Sequence, residues 1–86
     1  MPEYSITFAR SARKDLEALD PPVALRIVKK IEALTHEPRP RGVAKIEGAE
    51  DLWRVRVGDW RVIYHILDLE HVVDVVGVRH RSDAYR

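Results

Sequence analysis

The chain has 86 residues, with 15 Lys and Arg against 14 Asp and Glu, and a formal net charge of +1. This length predicts a single domain over residues 1–86, and 45% hydrophobic with 34% charged residues argues against a disordered chain. The absence of cysteine excludes a disulfide scaffold, a thiolate nucleophile and a Cys-based zinc site. No apolar run approaches the ~18 residues that a membrane span needs, so we expect a cytoplasmic protein with no membrane partner.

The N-terminal part of the chain predicts one strand followed by two helices. Apolar and polar residues alternate over residues 4–8, as in a short half-buried strand. From about Ser11 the apolar residues recur at spacings of four and three, which predicts a helix. Asp20 is a favoured N-cap and Pro21 suits a first helical turn, so a second helix begins there and ends before Pro38.

The C-terminal part predicts three antiparallel strands. The polar stretch 36–51 is interpreted as a long loop. Strands are predicted over 52–57, 60–67 and 72–79, with Gly58-Asp59 as a two-residue hairpin turn. We therefore expect an α+β fold, a two-layer sandwich. The chain order is an N-terminal strand, an α-helical hairpin and a three-stranded antiparallel β-meander. The first strand and the meander together form one four-stranded sheet.

Arginines gather on one face of the predicted hairpin. The two-residue turn places Arg56 opposite Arg61, and alternation brings Arg54 to the same face. The helices would cover the other face, which carries Trp53, Val55, Val57, Trp60, Val62, Tyr64 and Ile66. Directly opposed like charges destabilise a sheet by roughly 0.2–1 kcal/mol, a penalty that a bound polyanion would remove. Basic residues also decorate solvated sheet faces and discourage edge aggregation, so that alternative stays open.

The C-terminal segment adds more basic groups and an aromatic ring. Residues 79–86 carry three arginines, a histidine and a tyrosine against one acid, a combination that can hold phosphates and stack a base. A frayed basic end is the alternative. If Leu67 paired with Val72, Arg79 would lie opposite Trp60 and under the helices. We expect an odd-length turn, which brings Arg79 to the face of Arg61, because an unpaired buried arginine would be costly.

Three motifs carry a family resemblance. Residues 45–48 read KIEG, residues 53–64 read WRVRVGDWRVIY, and residues 79–85 read RHRSDAY. In this order of elements they resemble the RelE branch of the RelE/ParE toxins, the toxin halves of bacterial type II toxin-antitoxin modules. The resemblance covers nearly the whole chain. It implies an endoribonuclease without metal or cofactor that enters the ribosomal A site and cuts mRNA by attack of the 2′-hydroxyl on the adjacent phosphate. It also implies a cognate antitoxin.

The resemblance assigns catalytic roles to individual residues. Arg54 and Arg56 match basic residues that contact the scissile region and take part in activating the 2′-hydroxyl. Arg61 matches the arginine that stabilises charge on the phosphorane. Arg79 matches a terminal arginine that protonates the leaving group or stabilises its charge, and Tyr85 matches a tyrosine that stacks on the cleaved nucleotide.

Proton transfer and RNA binding involve further candidates. Arginine is a poor general base, so His80, with an unperturbed pKa near 6.5, is a candidate acid or base, although strict alternation points it away from Arg79. RNA binding is assigned to Lys45, Arg54, Arg56 and Arg81. The 4 histidines show no ligand spacing, so no metal site is expected.

Two other functions stay open. One is a ParE-like toxin that binds DNA gyrase and has no nuclease activity, and the other is a nucleic-acid-binding domain that makes phosphate contacts only. The clustered arginines and Tyr85 favour the endoribonuclease.

Overall fold

A mixed sheet of five strands and two helices make up the fold in a computed structural model that describes residues 3–82. In chain order the elements are β1 Ser5–Phe8, α1 Arg10–Glu17, α2 Pro21–Ala33, β2 Ala44–Lys45, β3 Leu52–Val57, β4 Trp60–Leu67 and β5 Val72–His80. The strand order is β1-β5-β4-β3-β2, and β1 runs parallel to β5 whereas the other pairs are antiparallel. The α+β prediction is confirmed.

The core lies between the helices and one face of the sheet. The apolar stripe of α2 places Ile27, Ile31 and the following Leu34 against the sheet, where all three are fully buried. The sheet contributes Val55, Val62, Tyr64, Ile66, Val73, Val75 and Val78. The opposite face of the sheet, on which the arginines lie, is called the open face below. No helix within residues 3–82 combines the length and apolar character needed to cross a bilayer.

The prediction of a four-stranded sheet is wrong by one strand. Ala44 and Lys45 lie inside the stretch 36–51, which the sequence predicts to be a loop, and they form β2. This strand pairs with Arg54 and Trp53 of β3. A strand of 2 residues has no alternation to detect, because a period of two needs at least four residues to show.

The last hairpin has an even-length turn and a β-bulge. Leu67 pairs with Val72, so the predicted odd-length turn is wrong. The register then shifts between Ile63 and Tyr64, which pair with Gly77 and Val75, so that Val76 is the extra residue. Beyond this bulge Arg79 pairs with Arg61. The expected common face is therefore reached, but by a bulge within β5 and not by the turn.

Helix α1 covers part of the outer edge of β5. β1 pairs with β5 only as far as Val75, and α1 follows directly on from it. Ser11 Oγ donates to the Val76 carbonyl at 2.6 Å, and the Val78 N–H donates to Asp15 Oδ2 at 2.9 Å. Side chains of α1 thus satisfy backbone groups that an adjacent strand would otherwise have paired.

Candidate nucleic-acid interface

A row of three arginines crosses the open face. Arg56 of β3 pairs with Arg61 of β4, and Arg61 pairs with Arg79 of β5. Directly paired residues of antiparallel strands project to the same face, so the three side chains start from adjacent positions. These three residues are called the arginine row. The row places three like charges side by side, which disfavours the sheet unless anions or acidic side chains compensate for them.

Arg61 is the central member of the row and the most enclosed. It lies on β4 with β3 on one side and β5 on the other, and only 7% of the residue is exposed. Within residues 3–82 it is the only charged residue that is buried. The attraction of its guanidinium to a phosphate is less screened there than at an exposed site.

A pocket of about 280 Å³ opens beside the row at the hairpin turn. Its lining consists of Arg56, Gly58, Asp59, Trp60, Arg61, Arg81 and Ser82. Gly58 has φ of 62°, so the turn uses a left-handed conformation that glycine adopts without strain. The tight turn brings the ends of β3 and β4 together and thereby gathers Arg56 and Arg61 at one pocket.

Arg54 lies one step further along the open face. It pairs with Ile63, which pairs with Gly77 in the next strand, so this row runs beside the arginine row. Arg54 is half-buried, whereas Arg56 is exposed. The structure therefore brings Arg54, Arg56, Arg61 and Arg79 to one face, as the sequence predicted.

An acidic side chain of α1 holds the guanidinium of Arg79. Arg79 Nη1 donates to Asp15 Oδ2, the oxygen that also accepts the Val78 N–H. The Arg79 side chain reaches Asp15 across Gly77, where an added Cβ would lie 3.5 Å from both Nη1 and Oδ2. Asp15 and Gly77 were not predicted as site residues. A glycine inside a valine-rich strand was the available signal, since it marks a bulge or a close approach.

Lys45 and His80 lie on the other face of the sheet. Lys45 pairs with Trp53, and its Nζ is 6.0 Å from the centre of that ring. His80 pairs with Trp60, packs edge to face against it with ring centres 5.0 Å apart, and has Nδ1 2.9 Å from Ser82 Oγ. The structure does not bring either residue to the arginine row, so the site proposed below includes neither Lys45 nor His80.

The remaining candidates lie at the C-terminal end. Arg81 lines the pocket, and its Nε is 3.9 Å from Asp59 Oδ1 in an exposed ion pair. Tyr85 lies outside the described residues. Among residues 3–82, no three His, Cys, Asp or Glu side chains are grouped so that they could hold a metal ion.

The chain matches a known toxin family over most of its length. Residues 6–85 match the family described as ParE toxin of type II toxin-antitoxin system, parDE. Toxin RelE and toxin RelG of Mycobacterium tuberculosis are each 31% identical over 84 residues, which is 96% of this chain and 87% and 97% of the two relatives.

Solved structures of toxin-antitoxin complexes share the fold. A chain of the archaeal RelE-RelB complex from Pyrococcus horikoshii OT3 superposes with a TM-score of 0.81 at 31% identity, covering 94% of this chain and 97% of that chain. The RelBE2 toxin-antitoxin complex of Mycobacterium tuberculosis gives a TM-score of 0.80 at 29% identity, covering 92% and 99%. Sequence and fold agree: the chain belongs to the RelE/ParE superfamily of type II toxin-antitoxin toxins.

Proposed function

We propose that the protein is a RelE-like toxin that cuts mRNA on the ribosome by attack of the 2′-hydroxyl on the adjacent phosphate. The attack breaks the bond from phosphorus to the 5′-oxygen and leaves a 2′,3′-cyclic phosphate and a 5′-hydroxyl. One observation carries the proposal: the three paired arginines of the row, with Arg61 buried at its centre beside a pocket. The similarity to toxins named RelE and RelG supports it. The site of action is the ribosomal A site, in the cytoplasm.

The arginine row is suited to stabilise the charge of a phosphorane. In-line attack concentrates negative charge on the non-bridging oxygens, and a guanidinium can hold two of them with parallel hydrogen bonds. Arg61 is fixed between two strands, so little reorganisation is needed when the charge develops. Arg56 and Arg81, which are exposed, are placed at the pocket to contact neighbouring phosphates.

The arginines do not supply the proton transfers. A guanidinium has hydrogen-bond donors and no acceptor, so the arginines stabilise charge and position the RNA and do not act as general bases. The ribosome contributes alignment of the 2′-hydroxyl with the phosphate, which lowers the barrier by orientation. Water takes the proton that the 2′-hydroxyl loses and protonates the 5′-oxygen that leaves. We accordingly assign Arg54, Arg56, Arg61 and Arg79 to charge stabilisation, and Tyr85 to stacking.

Replacing Arg61 tests this assignment. Loss of one such charge-stabilising donor typically lowers the rate by about 10²–10³, so we expect Arg61→Ala to lose mRNA cutting to that extent while still binding ribosomes. Arg61→Lys keeps the charge but not the paired donors, and we expect only partial recovery. The measurement is the mapping of mRNA 5′ ends in a translating extract.

Lys45→Ala provides the matched control for this experiment. It also removes one basic residue, but from the opposite face of the sheet, and we expect near-normal cutting. Equal losses in Arg61→Ala and Lys45→Ala, or unchanged cutting in Arg61→Ala, would contradict the proposal.

A second candidate function is a ParE-like toxin that binds DNA gyrase and has no nuclease activity. The match of residues 6–85 to the ParE toxin family favours it. It predicts growth arrest with DNA damage and intact mRNA, and an arrest that persists in Arg61→Ala. Intact mRNA on ribosomes exposed to the wild-type protein, together with inhibited gyrase, would establish this alternative.

The partner proposed for either function is a cognate antitoxin. The similar chains in the two complexes above were solved together with antitoxins. Because the open face is rich in arginine, we expect the antitoxin to place acidic side chains on the arginine row or to block its approach to the ribosome.

A further inference from the structure

Asp15 binds the guanidinium of Arg79 at the outer edge of β5. Asp15 Oδ2 accepts hydrogen bonds from Arg79 Nη1 and from the Val78 N–H, the latter at 2.9 Å. Because the Val78 N–H points to the outer edge of β5, Asp15 lies at that edge, whereas Arg61 lies on β4 at the inner side. Among residues 3–82, the pocket lining includes Arg56, Arg61 and Arg81 but not Arg79.

We propose that Asp15 is a positioning residue that holds Arg79 away from the pocket until RNA phosphate replaces it. Arg79 pairs with Arg61 and starts from the same face of the sheet. Its backbone is therefore already placed so that its side chain could bind a phosphate at the arginine row. Only its side chain is directed elsewhere. The inference rests on the proposed RNA substrate and adds the identity of the group that RNA must displace.

The Arg79–Asp15 pair is suited to such an exchange. The side chain of Arg79 is 45% exposed and that of Asp15 is 24% exposed, so water and salt screen the pair and its net stability is small. A phosphate carries two or more acceptor oxygens and can bind the guanidinium at least as well as one carboxylate oxygen. When Arg79 leaves, Asp15 still accepts the Val78 N–H, so the edge of β5 stays satisfied.

Gly77 provides the path along which Arg79 reaches Asp15. An added Cβ there would lie 3.5 Å from both Arg79 Nη1 and Asp15 Oδ2, which is ordinary van der Waals contact. Alanine is therefore compatible with the ion pair, whereas the two methyl groups of valine would occupy the space of the guanidinium. The Arg79–Asp15 ion pair thus depends on the small size of residue 77 as well as on the charge of Asp15.

The first test measures binding of a short single-stranded RNA whose 2′-hydroxyls are methylated, so that it cannot be cut. Asp15→Asn retains an acceptor for the Val78 N–H but releases Arg79, and we expect binding to become about two- to fivefold tighter. With one more phosphate neutralised, the slope of log affinity against log salt should steepen by about 0.7.

Two controls separate release of Arg79 from a general loss of negative charge. Asp74→Asn also removes an acid from the open face, where Asp74 accepts a hydrogen bond from Thr7, and we expect no change of slope. In an Arg79→Ala background, Asp15→Asn should have no effect. Unchanged or weaker binding in Asp15→Asn, or the same gain with Arg79 absent, would overturn the proposal.

A second test leaves every charge in place. We expect Gly77→Val to tighten RNA binding as Asp15→Asn does, and Gly77→Ala to behave like the wild-type protein. Circular dichroism and thermal unfolding establish that each variant is folded. If folded Gly77→Val binds RNA with wild-type affinity and salt slope, the positioning role is refuted.

These measurements do not depend on cleavage. If the wild-type protein leaves mRNA intact on ribosomes but Asp15→Asn still gains affinity through Arg79, the endoribonuclease proposal fails and the positioning role stands. If mRNA is cut but neither Asp15 nor Gly77 affects RNA binding, the positioning role fails alone.

Discussion

Asp68 shows how strongly one carboxylate can be held in this small fold. It accepts hydrogen bonds from Arg39 Nη1 at 3.2 Å, from Arg39 Nη2 at 2.8 Å and from Tyr4 Oη at 2.6 Å. These bonds, first from Arg39 and then from Tyr4, lower the pKa of Asp68 from 3.8 to about 2. The contacts join the residue before β1, the segment after α2 and the residue after β4, at the end of the sheet far from the hairpin turn.

The lowered pKa of Asp68 predicts acid-dependent stability. Since the folded value lies below 3.8, the stabilising contribution is present above that pH and disappears as the pH falls through about 2. At neutral pH we expect Asp68→Asn to unfold at a lower urea concentration than the wild-type protein. Between pH 3.8 and about 2 its stability should depend less on pH. Asp51→Asn is the control, because Asp51 has φ of 56°, which asparagine tolerates, and no ion pair to described residues. Equal pH profiles for wild type and Asp68→Asn would contradict the prediction.

The hydroxyl of Tyr64 is buried, which disfavours its ionisation. Its Oη donates to the Pro38 carbonyl at 2.8 Å, and burial raises the pKa of Tyr64 from 10.0 to about 12. A raised pKa means that this contribution to stability is present below 10.0 and is lost as the pH rises through about 12. We expect an absorbance step of phenolate formation near that upper value, which Tyr64→Phe removes. Tyr64→Phe should also cost about 1–3 kcal/mol by leaving a buried carbonyl unpaired, as urea unfolding would show.

At the scale of the element, the β3–β4 hairpin depends on one glycine. Gly58 has φ of 62°, and a Cβ there would lie 3.0 Å from Nη2 of Arg26 on α2. We expect Gly58→Ala to cost about 1–2 kcal/mol, and Gly58→Asn to cost less because asparagine tolerates the left-handed region better. Both substitutions add the same Cβ, so their difference in urea unfolding isolates the backbone strain. Equal costs would place the effect in the contact with Arg26 instead.

Short-range patterns predict this hairpin, but they do not predict the bulge in β5. Gly58-Asp59 determines the pairing of Arg56 with Arg61, and the structure shows that pairing. β5 is apolar on both faces around Val76, so a shift by one residue leaves no polar group misplaced in the pattern. The cost of burying an unpaired arginine correctly predicts that Arg61 and Arg79 share a face. The predicted route, an odd-length turn, is wrong, because a bulge in β5 brings them together.

The contacts of α1 were also beyond the reach of sequence patterns. Asp15 is one of several charged residues on a short amphipathic helix, and its spacing does not distinguish it from Glu17. Its role follows from the position of α1 beside the edge of β5, which is a tertiary relation. The residues of the row could be predicted, whereas the acid that holds one of them could not.

At the scale of the whole molecule, stability rests on a small core. For 86 residues, total stability is roughly 4–13 kcal/mol, and Ile27 is fully buried in the layer between α2 and the sheet. We expect Ile27→Ala to cost about 2–5 kcal/mol and Ile27→Val about 0.5–1.5. Leu25→Ala, at a position on the same helix that is 58% exposed, should change stability by less than about 0.5 kcal/mol. Chemical unfolding of the three variants would show whether burial or helix propensity determines the loss of stability.

The parallel pairing of β1 with β5 has a consequence for how the protein is made. β5 lies between β1 and β4, yet it is translated after both. While residues 72–80 are still being synthesised, the nascent chain has no β5, and therefore neither the pairing of Arg61 with Arg79 nor the edge that α1 covers. The arginine row can therefore form only after nearly the whole chain has been synthesised.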